Sequence, residues 1–504
     1  MQNFPFNSTA SLLLAAAVSE LFPDVQIVGG QGTDKYFYID FVFPFEFKND
    51  FLPLIEERMR LILREKRGVR STEMMPANAA ALMQHRRQNL LAGRLLNMSQ
   101  STVPVAQLGD FILPFSPAED LSIPHLKILE WQPIDHNATR IIGAAAADKE
   151  MLKTIAKQPL PAARSHQKFA SGMALFCPSE EEGLWTWRPK GELVRHQLLN
   201  LWRDEMTKQN FSFIACPAPA TLRAHKNYFT RFGTSKLAES AWFSNDEFND
   251  PSDGLLSPKA YFEGRAHIFS TEEKLLEESI SSLRFILKIP KILGFEFEIV
   301  MSVSNGGAQK KKAKKTAILR QALEEVGLNH SVEKQSRFGT LASIDIRFAD
   351  SLGRKWTGPT LSFPDAPDGT DALAISAFGP LERICALLLE KNEGWLPFWL
   401  APEQVRVLTV SDHKGPFADE VERVLKAQGL RTTTDAGKDK LNARLYQAFI
   451  EKVPYVLLLG EKEEKTKTIS LRAYGESEEK SLTLKEFCES LEPGMMIGNS
   501  EFKN

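Results

Sequence analysis

Five lysines within the six residues 310 to 315, Lys310, Lys311, Lys312, Lys314 and Lys315, form a concentrated run of positive charge. Ammonium groups this close together suit the phosphates of RNA or an acidic protein surface, with an affinity that falls steeply as salt rises. A solvated loop ahead of a helix carries such a run equally well. A second polar cluster ends the stretch KLAESAWFSNDEF, Lys236 to Phe248. Near-alternation of apolar and polar residues up to Phe243 predicts a strand, after which Ser244, Asn245, Asp246 and Glu247 supply a turn with two carboxylates and no arginine. Thiol chemistry is sparse. Cys177, Cys216, Cys385 and Cys488 lie far apart without any C-x-x-C spacing, which fits a reducing compartment.

The whole chain sets the bounds for these clusters. At 504 residues it is too long for one core, and ~100 to 200 residues per domain predicts three domains or so. A hydrophobic content of 43% with 25% charged residues is ordinary for a globular protein. The net charge of -2 argues against a surface that grips nucleic acid everywhere and leaves room for a local basic patch. The opening apolar run lacks a basic leading segment and is followed by Glu20, and no stretch of ~18 apolar residues occurs. A cytoplasmic chain with no membrane partner is expected.

The elements that must position the clusters follow from periodicity. Ser8 to Phe22 reads as a helix capped by Ser8, followed by the strand-like VQIVGG and KYFYIDFVFPF and the helix FLPLIEERMRLILREKRGV. After LWTWRPKG a long helix places Val194, Leu198, Trp202 and Met206 on one face and runs into the strand FSFIACP. Ser270 and Glu273 form a capping-box pattern before the next helix. Strands and helices without strict alternation predict a largely antiparallel sheet. From Pro402 the pattern changes to strand and helix in turn, an α/β unit with parallel strands, with Gly429 at a helix C-cap. GEKEEKTKT reads as a solvated turn.

These stretches resemble the threonyl-tRNA synthetases, which are class II aminoacyl-tRNA synthetases. PFWLAPEQVRVLTVSD and DKLNARLYQAFIEKVPYVLLLGEKE resemble the entry to, and the core of, that family's anticodon-binding domain, and the WLAPEQV junction is highly specific. WTWRPKG, its helix and FSFIACP resemble motif 1, with Pro217 at the signature proline. AHIFSTEE resembles the segment after motif 2, and GPLERI resembles motif 3. ASLLLAAAVSELFPDVQ and KYFYIDFVFPF resemble the editing-type domain. The similarity spans nearly the whole chain, without the ubiquitin-like domain that usually precedes it. It implies an α+β multidomain protein: an editing-like α+β domain over 1–148, a helical linker over 149–178, a class II core on an antiparallel sheet over 179–399, and a C-terminal α/β anticodon-binding-like domain over 400–504.

A class II core holds ATP with guanidinium groups, whose planar forks make paired charge-assisted hydrogen bonds to phosphate. The resemblance places the two motif 2 arginines at Asn245 and Ser257. Loss of one preorganised donor of this kind costs ~10²- to 10³-fold in rate. Glu247, Tyr261 and Arg383 match the family's nucleotide-binding pattern, as vestigial binding positions or as inherited packing residues. Lys259 and Arg265 fall near the ATP side as substitute cations. For the family's zinc, His267 matches one histidine and Ala374 stands at the other. Cys216 either directly precedes the motif 1 proline, with the cysteine-bearing segment deleted, or in a second alignment mimics the cysteine ligand. At most two ligands remain where zinc needs three, so no zinc is expected. Ser8 and Leu12 replace an editing histidine pair, and the later cysteine and histidine are replaced around GDFILPFSP. In the tail, Asp435, Lys440 and Arg444 match, while Gly437 and Tyr446 replace basic residues, which leaves Lys440 and Arg444 as weak RNA contacts beside the lysine run. The expectation is a degenerate relative with no catalytic residues and no cofactor, a homodimer that binds tRNA or other structured RNA, or a genuine synthetase subunit. The alternative is a divergent ligase that uses ATP and magnesium with altered substrate chemistry.

Overall fold

A computed structural model describes the chain except for residues 1–3, 97–101, 115–122, 135–137, 158–164, 182, 216–225, 228–229, 232–234, 246–250, 305–308, 336–338, 366–371, 411–414, 475–478 and 492–504. Glu247, Cys216 and Pro217 therefore lie outside the described residues. Two compact units result, one from residues 1–164, 245–259 and 349–355 and the other from 165–244, 260–348 and 356–504. Among the described residues no helix is long and apolar enough to cross a membrane.

The first unit is organised around a four-stranded antiparallel sheet in the order Gln26–Gly32, Phe37–Val42, Ala138–Ala146, His125–Ile134. Side chains alternate across a strand, and both faces of this sheet are buried. Phe37, Ile39, Phe41 and Ile141 join the core that includes the N-terminal helix Phe4–Leu21. Tyr36, Tyr38, Ile142, Ala144 and Ala146 face a smaller cluster with Leu152, Ile155 and Leu352. The helix starts at Phe4, so Ser8 is not its cap. It lies buried in the second turn and its carbonyl accepts from the Ser11 hydroxyl. Asn7, also buried, donates to the Thr33 carbonyl and accepts from the Ala145 amide, each at 2.9 Å. Leu12 is buried too, so the two positions compared with an editing histidine pair are core positions.

On the Tyr38 side of the sheet, polar contacts involve four separated segments of the chain. Arg140 makes a two-pronged contact with Asp40, both bonds at 2.7 Å, and its guanidinium lies 4.4 Å from the Tyr38 ring centre. Arg354 donates to Asp350 and to Asp253, each at 2.5 Å. Asp350 also accepts from the Leu352 and Arg354 amides at 2.9 Å. Burial pushes the Tyr38 phenol up to about 12.

The second unit carries an eight-stranded sheet in the order Ser212–Phe213, Lys236–Ser244, Ala260–Phe269, Ala372–Ser376, Lys355–Pro364, Thr340–Ala349, Glu298–Ser304, Ser331–Gln335. Only the outermost pair at each end is parallel among the pairings described, which meets the expectation of a largely antiparallel core. The helix Pro189–Lys208 buries Val194, Leu198, Trp202 and Met206 within the chain. Gly264 makes this packing possible, because a Cβ there would stand 2.6 Å from the Trp202 ring. The next helix begins at Leu275, after a 3₁₀ turn at Glu272–Lys274. The Glu273 carboxyl is held low by its backbone hydrogen bond and by the Thr271 hydroxyl, so Thr271 rather than Ser270 faces it.

The tail forms a five-stranded sheet, Thr432–Asp435, Val405–Thr409, Tyr455–Leu459, Thr468–Ala473, Lys480–Thr483, parallel in its first three strands and antiparallel in the last two. Gly429, with φ +79°, follows the helix Pro416–Ala427 and its cap Gln428, in the left-handed conformation that glycine adopts without strain. GEKEEKTKT is solvated as expected, but it is a helix rather than a turn. Glu461–Thr466 is a helix whose entry is closed by the Glu463 carboxylate accepting from the Gly460 amide at 2.9 Å. The WLAPEQV junction is a hydrogen-bonded node: Arg431 donates to the Trp399 and Ala401 carbonyls, and the Gln404 amide joins Phe398 to Arg431. Beside it Glu403 and Glu451 share Lys190 and Arg406. Burial raises the Glu451 carboxyl, but hydrogen bonds from Lys190, Gln447 and Arg406 outweigh it and bring it to about 2.

Glu382, in the helix Leu381–Lys391, is buried and joins three segments. It accepts from the Trp187 indole at 2.8 Å and from the Phe262 amide at 3.0 Å. Burial pushes its carboxyl up to about 7.

Two outcomes are expected. Arg354→Met leaves Asp350 buried without its guanidinium and lowers the stability of the first unit by about 3 kcal/mol, or roughly a hundredfold in amide exchange over Phe37–Val42; hydrogen exchange of both proteins checks it. For Glu382 the folded pKa lies above the unfolded one, so the native state binds the extra proton between about 4.5 and about 7 and loses stability as pH rises through that window. Glu382→Gln keeps an acceptor oxygen and carries no charge. Relative to the parent, it gains about 3 kcal/mol between pH 4.5 and pH 8, read from chemical denaturation at both pH values.

Candidate functional site

The hairpin Lys236–Ser244 and Ala260–Phe269 aligns Phe243 with Tyr261, Glu239 with Arg265 and Leu237 with His267. Residues two apart share a face, so Tyr261, Glu263, Arg265 and His267 lie along one side of their strand. Arg265 is the centre of that side. Its Nε donates to Glu263 at 2.8 Å, its Nη2 to the Tyr261 hydroxyl at 2.9 Å, and its guanidinium lies 3.6 Å from the centre of the Phe243 ring. Glu263 also accepts from the Ser376 hydroxyl, which in turn accepts from the Gly379 amide at 3.0 Å. Burial pushes the Tyr261 phenol up to about 12, so it stays a neutral donor and acceptor. Arg383 donates to the Thr357 carbonyl at 2.8 Å and lies over the Trp356 ring at 5.4 Å. Tyr261 and Arg383 are thus in electrostatic reach of one another. The resemblance points to Tyr261 and Arg383 here. It does not reveal that Arg265 is held by its own neighbours, although the i, i+2, i+4 spacing of Tyr261, Glu263 and Arg265 carried that signal.

In the first unit the residues that follow and precede the two hairpin strands close on each other. The Asn245 amide nitrogen donates to the Ser257 hydroxyl at 3.2 Å and to the Pro258 carbonyl at 3.0 Å, and the Asn245 backbone N–H donates to the Lys259 carbonyl at 2.8 Å. Leu255 and Leu256 beside them are fully buried, and Lys259 is exposed. The two positions matched to motif 2 arginines are therefore neighbours in space, bonded by side chains that carry no charge.

His267 stands opposite Ala374 across the adjoining strand and packs against Phe269, ring centres 6.5 Å apart. Among the described residues no three His, Cys, Asp or Glu side chains gather to hold a metal. Because Ala374 supplies no donor where the resemblance calls for one, these residues do not fit the family's zinc.

The lysine run is not a loop. It forms the first turns of the helix Gln309–Val326, which places cations at the positive end of a helix dipole, an unfavourable location unless other contacts compensate. They do so unequally. Lys310 is exposed and Lys311 half-buried, Lys312 donates to the Ser304 carbonyl at 3.0 Å, and Lys314 pairs with Glu272. Lys315 is buried, 5.1 Å from the Phe363 ring centre. Only part of the run faces water. In the tail Lys440 is exposed, whereas Arg444 is buried and gives its N–H groups to the carbonyls of Asp439, Asp435 and Thr409. The proposed contact of Arg444 with RNA is corrected on this ground: its guanidinium braces the turn between strand and helix.

Comparison with known proteins follows the same lines. Residues 404–492 match the family model described as anticodon binding domain. The threonine–tRNA ligase of Clostridium tetani is 26% identical over 96% of this chain and 86% of that protein, and that of Clostridium botulinum strain Hall is 25% identical over 97% and 88%. The crystal structure of the RNA binding domain of threonyl-tRNA synthetase from Cryptosporidium parvum shares the fold, with a TM-score of 0.59 and 23% identity over 64% of this chain and 97% of that one. Sequence similarity along almost its whole length, an antiparallel core sheet and a terminal α/β domain of the anticodon-binding type make the chain threonyl-tRNA synthetase-like, similar to the class II synthetases.

Proposed function

We propose that the chain is a pseudo-synthetase: a threonyl-tRNA synthetase-like scaffold that does not charge RNA and works by binding RNA, tRNA included. The observation that carries this is the Asn245–Ser257 hydrogen bond. Phosphate neutralisation needs cationic donors preorganised toward the ligand, and at these positions two neutral side chains spend their polar atoms on each other. Arg265 is a poor substitute, since two of its N–H groups and one face of its ring partner Phe243 are engaged within the chain. Lys259 is exposed but offers a point charge in place of a fork.

The RNA side of the proposal rests on the matched anticodon-binding domain and on the relatives' naming as threonine–tRNA ligases. Homodimerisation remains part of the proposal, without the help of the Val194–Met206 stripe, which is consumed by the chain's own core.

Threonine-dependent ATP–pyrophosphate exchange by the purified chain is expected to stay at the level of a no-enzyme control. Robust exchange that follows the protein through purification overturns the proposal.

A further inference from the structure

The helix Phe51–Arg64 in the first unit packs Ile55, Met59 and Ile62 into the core and leaves its opposite side exposed. On that side Leu54 and Leu61, 52% and 38% exposed, stand seven residues apart, a spacing that keeps two side chains on one stripe of a helix. Exposed Glu57 and Arg64 each follow one of these leucines by three residues and so sit beside it. A groove of about 490 Å³ flanks the stripe, lined by this helix and by Ile128 of the outermost sheet strand, His125–Ile134. Leu52, Leu61 and Ile128 give it apolar walls, and Glu56, Glu57, Arg60 and Arg64 line much of the rest.

Three features select the occupant. Two carboxylates and two guanidinium groups cancel, so the groove has no net charge with which to hold a nucleic acid or an anionic lipid surface. The strand edge is already paired: the Ile128 amide donates to Glu56 at 2.9 Å, Arg60 donates to the Leu126 carbonyl at 3.4 Å, and Arg60 donates to Glu56 at 2.7 Å. These are the backbone groups that an added strand would use, so the groove takes side chains rather than a strand. The stripe itself is self-complementary. Turned end for end on a second copy, the helix brings Leu54 within a turn of Leu61 and Glu57 within a turn of Arg64, and two-fold symmetry makes each contact twice.

We propose that this face joins two copies of the chain, helix against helix in antiparallel order, with Leu54 of each copy seated at the groove beside Leu61 of the other. The inference rests on the homodimer reading above and gives that dimer a surface. A single helix pair covers less than the ~1,600 Å² of a standard interface, so the association is weak and follows protein concentration.

The test is sedimentation of the full chain between about 1 and 200 µM, where the parent shows a monomer–dimer equilibrium. Leu54→Asp and Leu61→Asp each weaken it about tenfold by setting a carboxylate against apolar walls, and thermal unfolding is unchanged because both side chains are exposed. Glu57→Arg and Arg64→Glu each weaken it about tenfold through like charges. An equimolar mixture of these two variants restores it, because in the mixed pair every charge faces its opposite, a result that neither misfolding nor a dimer through another face produces. Equal association by the parent and the aspartate variants overturns this face and leaves a homodimer through another surface standing. A parent that stays monomeric across the range overturns both. Failure of the mixed variants to pair overturns the antiparallel arrangement, and retention on anionic vesicles that Leu54→Asp abolishes assigns the face to a membrane and overturns the proposal.

Discussion

The guanidinium of Arg265, laid on Phe243 with its N–H groups directed to Glu263 and Tyr261, shows the constraint on which much of the molecule depends: charged groups drawn partly out of water find partners within the chain. Arg140 finds Asp40, Arg354 finds Asp350 and Asp253, Arg406 finds Glu403 and Glu451, and Arg444 finds three carbonyls.

The same logic explains the buried carboxylates. Glu382 holds a strand, a hairpin and a helix through an indole and a backbone amide, neither of which carries charge, and its acid strength is weakened accordingly. Glu451 sits among cations and moves the other way. Fuller burial beside an indole and an amide raises one carboxyl, while partial burial among cations lowers the other. The second arrangement gathers at the junction leading into the terminal domain, where Lys190 from the long helix meets Glu403 and Glu451.

Much of this architecture was legible in the residues. Alternation marks the strand from Lys236, the 3.6-residue spacing marks the Val194–Met206 face, and Gly429 marks its helix end. The charged runs read as loops or turns because they are hydrophilic. Lys310 to Lys315 and Glu461 to Thr466 are good helix formers, and the burial of Lys315 depends on a strand about fifty residues away. Ser8 misled because a hydroxyl suits a cap, while its actual surroundings come from packing against Gly32. At the candidate site, resemblance points to Asn245, Ser257, Tyr261 and Arg383, but not to which cations are engaged within the chain. Arg354 and Asp253 are 101 positions apart, a partnership that no local pattern announces. The role of Arg444 was hidden for the same reason, since sequence displays charge and not access.

The bonded pair Asn245 and Ser257 also bears on what a single substitution can do here. An arginine at position 245 removes the amide that secures Ser257 and Pro258. Such a change gives up two hydrogen bonds beside the fully buried Leu255 and Leu256 before the new cation has found any partner. The two positions are therefore coupled, and a favourable exchange at one depends on what stands at the other.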